Sequence, residues 1–284
     1  MADSISLQEA FAVCEARARS HYENFPVALL VPRDRRRYLH ALYAFMRAAD
    51  DFADEPRYEG MRAEKLDQWE ARVHAAYAGE AEDPIFVALR ETVQRLAIPQ
   101  ELLLDLLSAF RQDVVKSRYE TWGELLDYCR RSANPVGRLV LIVFEESDRE
   151  LFPLSDALCT ALQLANHWQD LAVDLRRGRI YAPAELRERF GVEDRDLGAG
   201  RVTPELVAMM RELVSRTRAL FAAGRPLCDR VSRALRFELR LTWLGGSRIL
   251  DRIEAVDYDV FRRRPRHGPA DKLLLAWRAW RWRA

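Results

Sequence analysis

Two aspartate pairs have the spacing best suited to chemistry. Asp50 and Asp54 are four residues apart, and so are Asp170 and Asp174. On a helix this spacing puts both carboxylates on one face, about 6 Å apart along the axis. Counting about 100° per residue from Leu39, Tyr43, Arg47, Asp50 and Asp54 fall at about 40°, 80°, 20° and 60°. Two acids, an arginine and a tyrosine therefore share one stripe. Leu39 and Leu42 beside them have a core character, which predicts that the stripe faces inward. From Gln163, the residues Asn166, Asp170 and Asp174 fall at about 300°, 340° and 20°. That is a second stripe of oxygen-bearing side chains, on a segment rich in Ala, Leu and Trp.

Inward carboxylates are costly unless compensated, and like charges one turn apart repel. Arg47 alone is not enough. Hard oxygen donors suit Mg²⁺, which keeps several waters and bridges one or two carboxylates to substrate phosphates. Two acidic helices facing each other across a helical cavity would hold a diphosphate through several Mg²⁺ ions. The competing readings are a solvated helix face and a structural ion-pair network.

Three- and four-residue apolar spacing predicts the helices that position these groups, near 4–23, 34–55, 61–78, 84–95, 100–114, 122–131, 136–147, 154–176, 203–223, 226–256 and 271–282. Pro26 and Pro32 bracket a loop between the first two. Arg176–Gly200 is rich in charge and Gly, and reads as a long surface loop with a short helix inside. No segment alternates at period two. The expected fold is all-α: a single-domain helical bundle around a central cavity spanning 1–265, followed by a basic amphipathic tail over 266–284.

Composition supports that architecture and excludes others. The 284 residues are 49% apolar and 31% charged, an ordinary globular balance. Net charge is +1, which gives no reason to expect nucleic acid as a partner. Residues 262–284 carry eight Lys/Arg and one Asp, a net +7, which leaves −6 on residues 1–261. Such a tail suits an anionic surface. No apolar run is long enough to span a bilayer, and no basic-then-apolar leader opens the chain. Cys14, Cys129, Cys159 and Cys228 are scattered with no zinc spacing, and they read as reduced thiols in a cytoplasmic protein. G-x-G-x-x-G, Walker, HExxH and ExxH patterns are absent, which removes most support for nucleotide folds, zincins and di-metal oxidases.

At the two acidic stripes the chain resembles the squalene/phytoene synthase family. Tyr43-Ala-Phe-Met-Arg47-Ala-Ala-Asp50-Asp-Phe-Ala-Asp54-Glu is similar to the family's first aspartate-rich motif. Gln163-Leu-Ala-Asn166-His-Trp-Gln-Asp170-Leu-Ala-Val-Asp174 is similar to its second. Tyr128-Cys-Arg-Arg-Ser-Ala-Asn-Pro-Val-Gly137 and Gly178-Arg-Ile-Tyr-Ala-Pro183 resemble two further segments, and the likeness covers about residues 10–265. It implies an α-helical prenyl-synthase fold. It also implies Mg²⁺ held by Asp50, Asp54, Asp170 and Asp174, with Asn166 as a further ligand and Arg47, Gln163 and Tyr128 on the substrate. The chain departs from the family pattern at Gln169, where most members have Arg, at Asn134-Pro135, at Glu23-Asn24-Phe25-Pro26 and at Gly245-Gly246. These departures resemble the hydroxysqualene synthase branch found with hopanoid biosynthesis, which takes presqualene diphosphate.

The resemblance implies ionisation of that substrate, rearrangement of a cyclopropylcarbinyl cation and capture by water. Tyr43, Phe45, Trp168 and Tyr128 are candidate aromatic faces for the cation, with core packing as the competing reading. His167 falls at about 40° from Gln163, beside the polar stripe, and is read as a base or water guide, with a structural histidine as the competing reading. In the tail, Leu273, Trp277, Trp280 and Ala284 share a stripe with Arg278 and Arg281 off it, which predicts either contact with a membrane interface or docking on the body. The alternatives to hydroxysqualene formation are a condensing synthase acting on two allylic diphosphates and an inactive helical partner of a prenyl synthase.

Overall fold

The computed structural model describes residues 5–20 and 31–282. The Glu23–Pro26 segment, the Pro26 loop, the outer ends of the predicted 4–23 helix and Ala284 lie outside the described residues. In chain order the helices are α1 (Leu7–Ser20), α2 (Arg33–Asp54), α3 (Arg62–Tyr77), α4 (Pro84–Leu96), α5 (Gln100–Val115), α6 (Trp122–Ser132), α7 (Asn134–Val143), α8 (Leu151–Gln169), α9 (Leu171–Arg176), α10 (Ala184–Phe190), α11 (Asp194–Gly198), α12 (Pro204–Gly224), α13 (Leu227–Arg230), α14 (Arg233–Ala255) and α15 (Pro269–Arg281). The fold is all-α. Among the described residues the only β pairing is an isolated bridge between Arg118 and Ile180.

The chain divides into two compact units, one formed by Met1–Val115 with Pro135–Arg149 and the other by Lys116–Asn134 with Glu150–Ala284. In the first unit α2 packs against α1, α3, α4 and α5. Its core face holds Leu42, Phe45 and Ala49, all nearly inaccessible. Phe45 stacks on Trp69 at 6.2 Å, and Trp69 meets Phe86 edge-on at 4.6 Å. This aromatic knot fixes the rotation of α2 and hence the direction of its acidic stripe. Asp83 caps α4 by accepting from the Ile85 backbone N–H, with Pro84 in the first turn, where its missing donor costs nothing.

In the second unit α8 is central and packs on α6, α12, α13 and α14. Two glycines set its spacing. A Cβ on Gly224 would lie 2.8 Å from the Leu158 backbone N and 3.0 Å from the Leu154 O. One on Gly246 would lie 2.5 Å from Leu162 Cδ2 and 2.6 Å from Phe221 Cζ. Gly246, a departure from the family pattern, thus has a packing reason. So does Asn134, whose buried Oδ1 accepts from Thr160 Oγ1 at 2.9 Å.

Three sequence expectations need correction. The predicted 154–176 helix is interrupted at Asp170, where φ is −102° and ψ is 10°. The predicted 226–256 helix is two helices, broken at Val231 and Ser232. Arg176–Gly200 is not a surface loop: Ile180, Tyr181, Ala182, Leu186, Val192 and Leu197 are buried, and α10 and α11 are both short helices within it. The Ile180 N–H donates to the Ser117 carbonyl at 2.9 Å, which draws the segment under α6. Its charged flanks masked these apolar anchors.

Candidate active site

On α2, Tyr43, Arg47 and Asp50 are partly exposed and Asp54 is exposed. The expected inward-facing stripe therefore lies at the edge of its unit's core and not inside it. The buried acid is its neighbour Asp51, whose side chain is only 4% exposed. Arg47 pairs with Asp50 Oδ2 at 2.9 Å and with Asp51 Oδ1 at 2.8 Å, and Arg17 on α1 reaches Asp51 Oδ2 at 2.7 Å. One guanidinium thus serves the functional candidate and the buried acid together, and a second relieves it. Reading the stripe by four-residue spacing missed Asp51 and Arg17, although the adjacent aspartates Asp50-Asp51 were a visible signal. Tyr43 Oη is buried and has no hydrogen-bond partner among the described residues. It is a polar atom left available on the same helix as the acids.

On α8 and α9 the second stripe straddles the helix break. Asn166 is exposed, while Gln163, Asp170 and Asp174 are partly exposed. Asn166 Nδ2 donates to Asp170 Oδ2 at 3.2 Å. Arg264 grips both oxygens of Asp170, with Nη2 on Oδ2 at 2.9 Å and Nε on Oδ1. Gln169, the other departure at this motif, donates to the Pro265 carbonyl, which holds the chain next to Arg264 in place. Arg264 lies 94 residues from Asp170 and carried no local signal.

Beneath this stripe is an aromatic cluster. His167 is buried and stacks on Tyr181 with ring centroids 3.6 Å apart. Tyr128 lies 6.3 Å from His167 and 5.5 Å from Tyr119. Burial first, and the Arg179 charge second, push the His167 pKa down to about 3. The imidazole is therefore neutral at ordinary pH, and its Nε2 has no partner among the described residues. Of the proposed cation-facing rings, Phe45 and Trp168 are fully buried. Trp168 donates to Thr217 Oγ1 at 2.8 Å, so both belong to core packing and not to a substrate wall. Tyr128 is buried within the tyrosine cluster, and Tyr43 is the accessible ring of the four.

Among the described residues no three Asp, Glu, His or Cys side chains converge as a ready-made metal cage. The donor chemistry nevertheless fits Mg²⁺, which needs one or two carboxylates and takes its remaining oxygens from water and phosphate. Each acidic stripe supplies such a pair, Asp50 with Asp54 and Asp170 with Asp174, and the second adds the Asn166 amide. No helix among the described residues is long and apolar enough to cross a membrane.

Comparison with known proteins identifies the family of the chain. Residues 18–271 match the squalene/phytoene synthase family. A hydroxysqualene synthase of Rhodopseudomonas palustris is 42% identical over 213 residues, covering 74% of this chain and 71% of that protein. A chloroplastic phytoene synthase 3 of Zea mays is 34% identical over 277 residues, covering 95% of this chain and 65% of that protein. The crystal structure of the squalene synthase HpnC from Alicyclobacillus acidocaldarius superposes with a TM-score of 0.85 at 45% identity, covering 90% of this chain and 97% of that one.

Proposed function

The chain belongs to the squalene/phytoene synthase family, and from that premise we propose that it is a Mg²⁺-dependent hydroxysqualene synthase. It converts presqualene diphosphate and water to hydroxysqualene and diphosphate, as a carbon–oxygen lyase in squalene and hopanoid formation. The observation that carries this reading is the 42% identity to a hydroxysqualene synthase, set beside two intact four-spaced aspartate pairs.

In this reading each acidic face would hold Mg²⁺ on its own oxygens, Asp50 with Asp54 on one and Asp170 with Asp174 and Asn166 on the other. Held there, Mg²⁺ would supply positive charge against the charge growing on the leaving diphosphate. Arg47, already fixed by Asp50 and Asp51, contacts phosphate oxygens as a rigid fork. Gln163 and Tyr128 orient the substrate. The C–O bond to diphosphate breaks with its electron pair, leaving a cyclopropylcarbinyl cation that rearranges to the squalene-type linkage. Tyr43 offers its ring to that cation. A water oxygen then forms the new C–O bond and releases its proton to solvent. Apolar side chains exclude other water until that step. The product is an apolar triterpene alcohol bound for a bilayer, and the C-terminal segment 266–284 is the element that would touch it, as a peripheral contact of a cytoplasmic protein.

The test is mass spectrometry of products from presqualene diphosphate with Mg²⁺. Hydroxysqualene and free diphosphate are expected, and an unchanged substrate would overturn the proposal. The 34% identity to a phytoene synthase favours one second reading, a condensing synthase. Incubation with farnesyl or geranylgeranyl diphosphate alone separates the two: a condensing enzyme consumes one of them, and the proposed enzyme consumes neither.

A further inference from the structure

The C-terminal helix α15 is docked and exposed at the same time. One face, Asp271, Leu275 and Ala279, is buried against the body, where α15 packs on α14. Both ends are fastened. At the N-terminal end Asp271 accepts from Arg248 Nε at 3.0 Å and from Arg252 Nη2 through its other oxygen. It also accepts from the Gly268 backbone N–H at 2.8 Å. At the C-terminal end Trp282 Nε1 donates to Asp229 Oδ2 at 3.2 Å and meets Trp243 edge-on at 5.6 Å. Arg225 and Arg240 lie over its ring at 4.9 and 5.3 Å. These contacts hold the helix in one rotation.

That rotation leaves the opposite side apolar and wet. Taking Leu275 as 0°, Leu273, Trp277 and Trp280 lie at about 140–200°. They are 77%, 55% and 73% exposed. Large apolar side chains clustered on one exposed face need an occupant. Lys272 flanks the stripe on one side, and Arg278 and Arg281 flank it on the other. The segment from Arg262 onward is net +7. Tryptophan beside arginine on a short amphipathic helix is the chemistry of the headgroup region, and the positive rim complements anionic lipid.

We propose that α15 is a rigidly mounted interface helix that seats the protein on an anionic phospholipid surface through Leu273, Trp277 and Trp280. It deepens the lipid-contact part of the functional reading and does not depend on the reaction. Because the ion pairs of Asp271 and the Trp282 anchor preform the helix, little ordering entropy opposes binding. Immersing one helical face supports reversible attachment and not permanent insertion.

Vesicle co-sedimentation of the full chain tests this, using phosphatidylcholine with and without phosphatidylglycerol. Binding is expected only with phosphatidylglycerol present, and it should weaken with added salt. The triple variant Leu273→Ser, Trp277→Ser, Trp280→Ser should lose at least about tenfold in partitioning. Arg278→Gln and Arg281→Gln should each lose up to about fivefold. All these side chains are exposed, and an unchanged circular dichroism spectrum checks the fold. Wild-type protein that ignores anionic vesicles, or a triple variant that binds as wild type does, overturns the proposal. A concentration-dependent dimer that the triple variant abolishes, without vesicle binding, assigns the face to a second copy and also overturns it. Turnover of presqualene diphosphate in detergent should be equal in wild type and triple variant. Absence of turnover in both, with anionic-vesicle binding by wild type and its loss in the triple variant, would remove the enzymatic reading and leave this one standing.

Discussion

The two acidic faces share a spacing and differ in how their charge is held. The α2 face lies on an unbroken helix. Its compensating cation, Arg47, is three residues from Asp50 and four from Asp51, with Arg17 added from the adjoining α1. The face on α8 and α9 lies across an interruption, and Asp170 takes its cation from Arg264 near the other end of the chain. One site is built by local helix geometry and the other by a chain reversal. A locally built site should tolerate distant change, whereas the other depends on every element that brings Arg264 and Pro265 to it.

The largest expected effect addresses whether both faces serve one reaction. On the proposed reaction, Asp50→Asn and Asp170→Asn should each lower turnover of presqualene diphosphate at least about a hundredfold, the scale of losing a charge-stabilising group. The assay is diphosphate release under saturating Mg²⁺. If one variant falls and the other stays near wild type, the faces are not functional equivalents, and the roles assigned to the unaffected pair fail.

Next comes the support of the second face. Gly224→Ala would drive a Cβ into the α8 backbone at Leu158 and Leu154, which cannot swing aside as a side chain can. We expect a loss of about 3 kcal/mol in denaturant unfolding, the cost of overpacking against a rigid partner. The same substitution at Gly79, where a Cβ meets nothing within 4 Å but φ is +95°, tests strain alone. It should cost about 1 kcal/mol.

Much of the molecule could be read in advance, and the reasons are particular. The helix over Arg33–Asp54 was legible because its apolar residues repeat along one face. The break at Asp170 was not, since the residues on either side continue the helical pattern and the interruption coincides with a tertiary contact. The acidic pairs, Arg47 and Asn166 were visible from spacing. Arg264 was hidden by distance, and Asp51 by attention to four-residue intervals. Ile180–Ala182 reads as loop from sequence because a single short apolar run, Ile180 to Ala184, interrupts a charged stretch. Phe45 and Trp168 lie beside the motifs in sequence, but helical rotation turns them into the core.

Glu238 is a buried carboxyl with no compensating cation among the described residues, unlike the well-served Asp51. Glu238 on α14 is 5% exposed, and burial alone pushes its pKa up to about 7. A carboxyl raised in the folded state contributes stability that is fully present below its unfolded pKa of about 4.5 and is lost as pH rises through about 7. Glu238→Gln copies the neutral acid. It should therefore stabilise the protein by about 2 kcal/mol at pH 8 and leave it nearly unchanged at pH 4.5. Denaturant melts at the two pH values check the sign. A gain at low pH only would mean that the carboxylate is stabilised by a partner.

The smallest effects bear most directly on the opening contrast. Arg17→Ala leaves Asp51, 4% exposed, with one of its two cations. Arg264→Ala leaves Asp170, 13% exposed, with the Asn166 amide as its side-chain partner among the described residues, but the lost arginine was itself 39% exposed and screened by water. Arg17→Ala should therefore cost more stability, about 1–2 kcal/mol against less than about 1 kcal/mol for Arg264→Ala. Urea unfolding ranks the two, and the double mutants Arg17→Ala with Asp51→Asn and Arg264→Ala with Asp170→Asn isolate the pair energies. The reverse ranking would mean that the long-range clamp carries the fold of its unit. Asp170 would then be a structural acid first, and the resemblance between the two faces would end at their spacing.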